Sequence, residues 1–176
     1  MKVTLNTDRL ILRPFNMFDS EKMFLNWASD HEVTKYLTWN AHENIEQTKK
    51  IIALWIEQYN KEERINFAIT LQENNELIGG IDVVGYLDGI PVIGYVLSKA
   101  YWNNGYVTEA CKAVIDFLFT LGHEKIIIDA FVENIASNKV ILKCGGRFIE
   151  TYHERIESEN KTVLINRYYI EKSKVI

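Results

Sequence analysis

Cysteine is scarce in this chain: Cys111 and Cys144 are its two thiols, and neither stands in a CxxC pair. The four histidines, His31, His42, His123 and His153, share no ligand spacing with them. A disulfide-stapled scaffold or a Cys/His zinc site is therefore not expected, and two reduced thiols are. Cys144 as a nucleophile would need a basic partner, and no local spacing supplies one. Long apolar runs are missing too. No segment approaches the roughly 20 apolar residues of a membrane span. The opening "MKVTLNTDRLILRPF" is interrupted by Arg9 and Arg13 before it reaches the apolar core of a signal peptide. These absences make a soluble, cytoplasmic protein the expectation, with no membrane partner. Positive charge is not in excess: 20 Lys and Arg face 24 Asp and Glu, for a net charge of -4. The basic residues are spread along the chain, which argues against a nucleic-acid binder working through a broad basic face. A small local anion site stays open.

What is present suits one compact domain over residues 1–176, with 47% hydrophobic and 12% aromatic residues to build a core. "LNTDRLILRPF" reads as a strand, with Pro14 ending its pairing. Asp19 is placed to cap a helix through Met23, Phe24 and Trp27, and "HEVTKYL" reads as a further short helical piece. Ile45, Ile52, Trp55, Ile56 and Tyr59 fall on one side of an amphipathic helix. Three strand-like runs follow, turned by "ENNE" and "YLDG". A helix from about Gly105 to Leu121, the strand "KIIIDAFV" and the glycine-closed helix "NIASNKVILKCGG" come next. Two strands, "RFIETYHERIE" and "TVLINRYYIE", close the chain around "SENK". This order predicts one mixed α/β sheet with helices on its faces. No repeat, linker or low-complexity segment is visible.

The junction "WNNGYV", residues 102–107, carries the sharpest question. Gly105 permits positive φ or a close backbone approach. The first amides of the helix behind it have no internal acceptor, and at the positive end of a helix dipole they suit a phosphate. Asn103 and Asn104 fit a plain turn equally well. A Walker A loop is excluded, because no Gly-Lys-Ser/Thr follows. A dinucleotide fingerprint is excluded by the missing second and third glycines.

Three separated segments resolve the question by likeness. "TDRLILRPFNMFDSEKMFLNWASDHEVTKYL", "IGYVLSKAYWNNGYVTEACKAVIDFLF" and "ENIASNKVILKCGGRF" resemble, in that order, the GNAT superfamily of N-acetyltransferases. The nearer likeness is to its ribosomal-protein N-terminal (alanine/serine) acetyltransferase branch. The resemblance implies a mostly antiparallel sheet of about seven strands flanked by helices, with acetyl-CoA held at a splayed strand pair. Trp102, Asn103, Asn104, Gly105, Tyr106, Val107 and Thr108 would then face its pyrophosphate. The family's [QR]-x-x-G-x-[GA] pattern is met at Gly105. Trp102 holds the first position, and Val107 stands where Gly or Ala is usual, which leaves room for some slackening of the phosphate contact, while binding mainly through N–H groups is expected to survive. The backbone of Tyr95, Val96 and Leu97 would pair with the pantetheine arm, and an N–H near Leu97 would serve the oxyanion. Asn134, a good N-cap in its own right, would reach the same arm.

Acetyl transfer to an amine needs a polarised carbonyl, a neutral amine, close approach and a donor for the departing thiolate. Many family members carry an acid tyrosine where this chain has Ile141. The branch uses the serine of N-x-x-S instead, here Ser137, which read alone is an ordinary helix-start serine. The base would be Glu157 on the penultimate strand, with Glu154 next; "HERIESE" reads equally as a solvated hairpin face. Glu109 reads as structural, a first-turn glutamate favourable to the helix dipole. Gly146 departs from the phenylalanine common in the branch. Trp27, Tyr36, Trp39 and Trp55 are core aromatics or a lining for the acceptor cleft. The expected acceptor is a protein N-terminal α-amine. Alternatives are a small-molecule amine (polyamine, amino acid or antibiotic) and an acyl-CoA-binding module without turnover. No metal is expected. Dimers are common in the branch, and the aromatic-rich last strand would offer an edge for one.

Overall fold

The computed structural model describes residues 3–61, 64–156 and 161–173. Among them lies one eight-stranded sheet in the order β1-β2-β3-β4-β5-β6-β8-β7. Its strands are β1 (Leu5–Asn6), β2 (Leu10–Arg13), β3 (Asn66–Leu71), β4 (Leu77–Leu87), β5 (Ile90–Leu97), β6 (Lys125–Phe131), β7 (Arg147–Ile156) and β8 (Lys161–Glu171). Every neighbouring pair is antiparallel except β5 and β6. The helices are α1 (Asp19–Met23), α2 (His31–Thr34), α3 (Ile45–Asn60), α4 (Tyr106–Thr120) and α5 (Ile135–Lys143), and a π-helical turn, Phe24–Ala28, continues α1.

Two apolar clusters sandwich the sheet, as strand alternation requires. Phe67 and Ile69 of β3 join Val114 and Leu118 of α4 in one, while Ala68 joins Phe15, Trp27 and Ile52 in the other. The β4–β5 hairpin turns through Asp88 and Gly89, with φ of 50° and 79°, the paired positive values that suit the right-handed twist of the strands.

Three expectations are corrected. The first strand is a small hairpin, β1 and β2, so the one strand expected there is two. Asp19 does not cap α1, whose N-cap is Phe18. Its buried carboxylate takes both Arg13 nitrogens, at 2.8 and 2.7 Å, and that pairing raises the Arg13 pKa. The last strand offers no edge, because β8 is inserted between β6 and β7. Between Ile165 and Tyr169 it is paired antiparallel on both sides.

Candidate active site

The parallel ladder of β5 and β6 is brief. Only Val92↔Ile127 and Ile93↔Ile128 are in register, although β5 continues to Leu97 and β6 to Phe131. The outer ladders persist: Gly94, Tyr95, Val96 and Leu97 still pair with β4, and Asp129 to Phe131 with β8. Two strands held by their outer neighbours and released by each other must part. Backbone groups on the facing edges of a parted pair need partners, and a polar chain laid between them supplies those. The splayed pair thus falls where the likeness put it.

The junction after β5 is built to leave amides open. A 3₁₀ turn, Lys99–Tyr101, leads into it. The Trp102 indole N–H donates to the Leu97 carbonyl at 2.8 Å, tying the loop's first residue back to the strand end. Asn104 donates to the Tyr101 and Trp102 carbonyls at 3.2 and 2.9 Å. Asn103 and Gly105 adopt φ of 62° and 81°. Asp30, Asn44 and Asn134 cap α2, α3 and α5 through their side chains, whereas Gly105 gives α4 no side-chain cap. The start of this 15-residue helix is open, so its first N–H groups and its dipole face outward. The group implied by the resemblance, a pyrophosphate on a pantetheine arm, fits these residues: an uncapped helix start adjoins a parted strand edge.

Val107 does not crowd that mouth. Val107 is 9% exposed, and its side chain packs in the α4 cluster. Glu109 is structural, as expected. It accepts from Thr7 Oγ1 (2.6 Å), Arg9 N (2.9 Å) and Arg9 Nε (2.7 Å), which fastens the β1–β2 turn to α4. Arg9 lies over the Tyr106 ring at 4.6 Å and donates to the Asn104 carbonyl at 3.0 Å.

The parted strands open on a cavity of about 620 Å³. Gly94, Tyr95 and Val96 line it from one strand, Asp129, Ala130 and Phe131 from the other, with Asn134 and Ser137 of α5 beside them. Asn134 spends its side-chain oxygen on the Ser137 N–H at 3.1 Å. Ser137 Oγ lies 2.7 Å from the Tyr95 hydroxyl. Asn138 seats this helix start by donating to the carbonyls of Phe131 and Asn134 and accepting from Asn166 and Tyr168. Ile141 is wholly buried in the core. A Cβ on Gly146 would come within 2.5 Å of Ile141 Cγ2 and 2.8 Å of its carbonyl. The isoleucine and the glycine are thus one packing unit, and a phenylalanine at 146 has no room beside it.

Glu154, an exposed residue of the edge strand β7, reaches the cavity rim. Glu157 lies outside the described residues. Sequence reasoning missed two other acids. Asp82 lines the cavity and pairs with Arg64; burial, outweighing the attraction of Arg64, pushes its pKa up to about 6. Asp129 is held by Arg167 at 2.8 Å and by the Tyr152 hydroxyl at 2.9 Å. Burial, followed by the charge of Asp129, raises the Tyr152 pKa and keeps that phenol protonated. Neither acid sits in a motif, and only the sheet brings them together. Phe15, Trp27, Tyr36, Trp39 and Trp55 wall the far side. Trp27 is both core and wall. His42 lines the same wall, bonded through Nδ1 to Thr48 at 2.7 Å, and burial lowers its pKa. Among the described residues no group of His, Cys, Asp and Glu could hold a metal.

The family described as Acetyltransferase (GNAT) domain matches residues 9–147. The N-acetyltransferase YoaA of Bacillus subtilis (strain 168), itself uncharacterised, is 34% identical over 144 residues, covering 80% of this chain and 81% of its own. The crystal structure of a GNAT-family acetyltransferase from Bacillus anthracis superposes with a TM-score of 0.84 at 27% identity, covering 96% of this chain and 98% of that one. RimL, a ribosomal α-N-protein acetyltransferase solved with coenzyme A, shares the fold with a TM-score of 0.83 at 18% identity, over 96% and 98% of the two chains.

Proposed function

This chain belongs to the GNAT acetyltransferase family and is an N-acetyltransferase, and from that premise we propose that it acetylates a primary amine with acetyl-CoA, the amine being a protein N-terminal α-amine. One observation carries the reading. The parted ends of β5 and β6 open into a single cavity that has the Ser137 hydroxyl beside the strand gap and the carboxylates of Glu154 and Asp82 along its walls. Acetyl-CoA supplies the thioester acyl group. The open amides from Asn103 to Thr108 hold its pyrophosphate, and the free edge of Tyr95 to Leu97 holds the pantetheine arm beside Asn134. A main-chain N–H near Leu97 polarises the carbonyl. Glu154 takes the proton that the attacking ammonium must lose, directly or through one water. Ser137 gives a hydrogen bond to the sulfur as the carbon–sulfur bond breaks.

A second acceptor class has its own support. Tryptophan, tyrosine and phenylalanine side chains enclose the far wall, which a compact apolar or aromatic amine would fill without a polypeptide behind it. Thiol release from acetyl-CoA, measured against a panel of short peptides with free N-termini and a panel of small amines, separates the two. Peptide turnover that persists when only the first two residues are varied supports the N-terminal acceptor. Turnover confined to small amines transfers the reading to them. Tight acetyl-CoA binding without turnover on either panel would make the chain a binding module.

A further inference from the structure

We propose that Tyr95 is a positioning residue for thiolate departure: its phenol donates to Ser137 Oγ and so leaves the serine hydrogen free to face the coenzyme sulfur. The inference rests on the cofactor reading above. The two residues lie 42 positions apart, and β5 and α5 bring them together at the mouth of the strand gap. The 2.7 Å contact allows either hydroxyl to donate, and the proposed arrangement has the phenol as donor. Tyr95 Oη also lies 3.3 Å from the Ser137 main-chain carbonyl, which can only accept. With its hydrogen turned to Ser137, the phenol donates to Oγ, the nearer of the two oxygens. Among the described residues the Ser137 hydroxyl has no other partner, so its own hydrogen is uncommitted, and both residues line the cavity.

A serine alone is a poor donor to a thiolate. A hydroxyl that accepts one hydrogen bond becomes a better donor of the next, because the two bonds polarise each other. Tyr95 is well suited to stay protonated. Burial is the largest influence raising its pKa, and the Cys111 and Cys144 thiols nearby push in the same direction. No proton needs to leave either residue. The carbon–nitrogen bond forms, the carbon–sulfur bond breaks, its electron pair stays on sulfur, and that sulfur is later protonated from solvent. On this proposal the work of the tyrosine absent from position 141 falls to a residue acting through a serine.

The test reads the thiol rather than turnover. Coenzyme A bound to the protein is titrated by the ultraviolet absorbance of its thiolate, with the free protein titrated alike to subtract Cys111 and Cys144. Wild type should hold the bound thiol below the pKa of free coenzyme A. Ser137→Ala should return it upward by about one pH unit, as expected for losing a hydrogen bond to a charged group. Tyr95→Phe should return roughly half of that, and the double variant no more than Ser137→Ala alone. Site-specific fluorotyrosine at 95, a stronger donor, should move the thiol in the opposite direction. With an active acceptor, Tyr95→Phe should lower kcat about threefold or more and leave the KM for acetyl-CoA unchanged. A Tyr95→Phe titration that overlays wild type, at equal coenzyme affinity, overturns the positioning role and leaves the acetyltransferase reading standing. No coenzyme A binding by wild type overturns both.

Discussion

The two halves of the proposed site are made from different material. The cofactor half is mostly backbone from one continuous stretch, Tyr95 to Thr108, shaped by two positive-φ residues and an uncapped helix start. The acceptor half is side chain, drawn from α1's π-helical continuation, the loop after α2, α3, β4, β6 and β7. Backbone groups are the same whatever the residue, so a cofactor half built from them would accept Trp102 and Val107 where other residues are usual. A side-chain wall has no such tolerance. It is where one family can change its acceptor while keeping its cofactor.

The most severe way to set the halves apart is Glu154→Gln. It should lower kcat about a hundredfold, the lower end of what a positioned base contributes, with acetyl-CoA affinity unchanged by calorimetry. If Glu157→Gln causes that loss and Glu154→Gln does not, the base lies beyond the end of β7. The converse substitution is Gly105→Val. A β-branched residue at φ 81° costs roughly 1–2 kcal/mol, and acetyl-CoA affinity should fall about tenfold if that strain is relieved by moving the loop. Acceptor preference should not change.

A pH profile distinguishes the halves more gently. Asp82 has a pKa raised to about 6, so it is neutral below that pH and charged above it. The KM for a cationic acceptor should therefore rise as pH falls through about 6, by a factor of about five for roughly 1 kcal/mol of lost attraction. Asp82→Asn should remove that inflection, and acetyl-CoA affinity should show none in either protein. The smallest effect belongs to Glu109→Ala, which removes the acceptor of three hydrogen bonds between the β1–β2 turn and α4. Thermal unfolding should fall by about 2–8 °C, for roughly 1–2 kcal/mol. A large loss of turnover in that variant would mean that Glu109 does more than fasten.

Legibility followed the same division. Asn134 as a helix cap and Gly105 before α4 are statements about neighbours in sequence, and the structure carries both. The "YLDG" turn was readable for the same reason, since Asp88 and Gly89 need only their own φ values. The misread elements depended on partners outside their own element. Asp19 has the chemistry of a cap, but Arg13 is nearer to its carboxylate in space than any helix amide it might have served. The last strand looked like an edge because chain order placed it last, while pairing placed it inside. Ile141 read as a missing acid; that Tyr95 approaches Ser137 instead is invisible to spacing.

By itself the sequence determined the order of the main elements and a glycine before α4, because periodicity, glycine conformation and helix ends are local properties, and its likeness to known acetyltransferases pointed to the family. The tertiary structure alone decided where β5 and β6 part, which acids face the cavity, and that Tyr95 meets Ser137. Those depend on which strands pair, a choice made by burying two apolar faces of one sheet at once rather than by any residue's immediate neighbours.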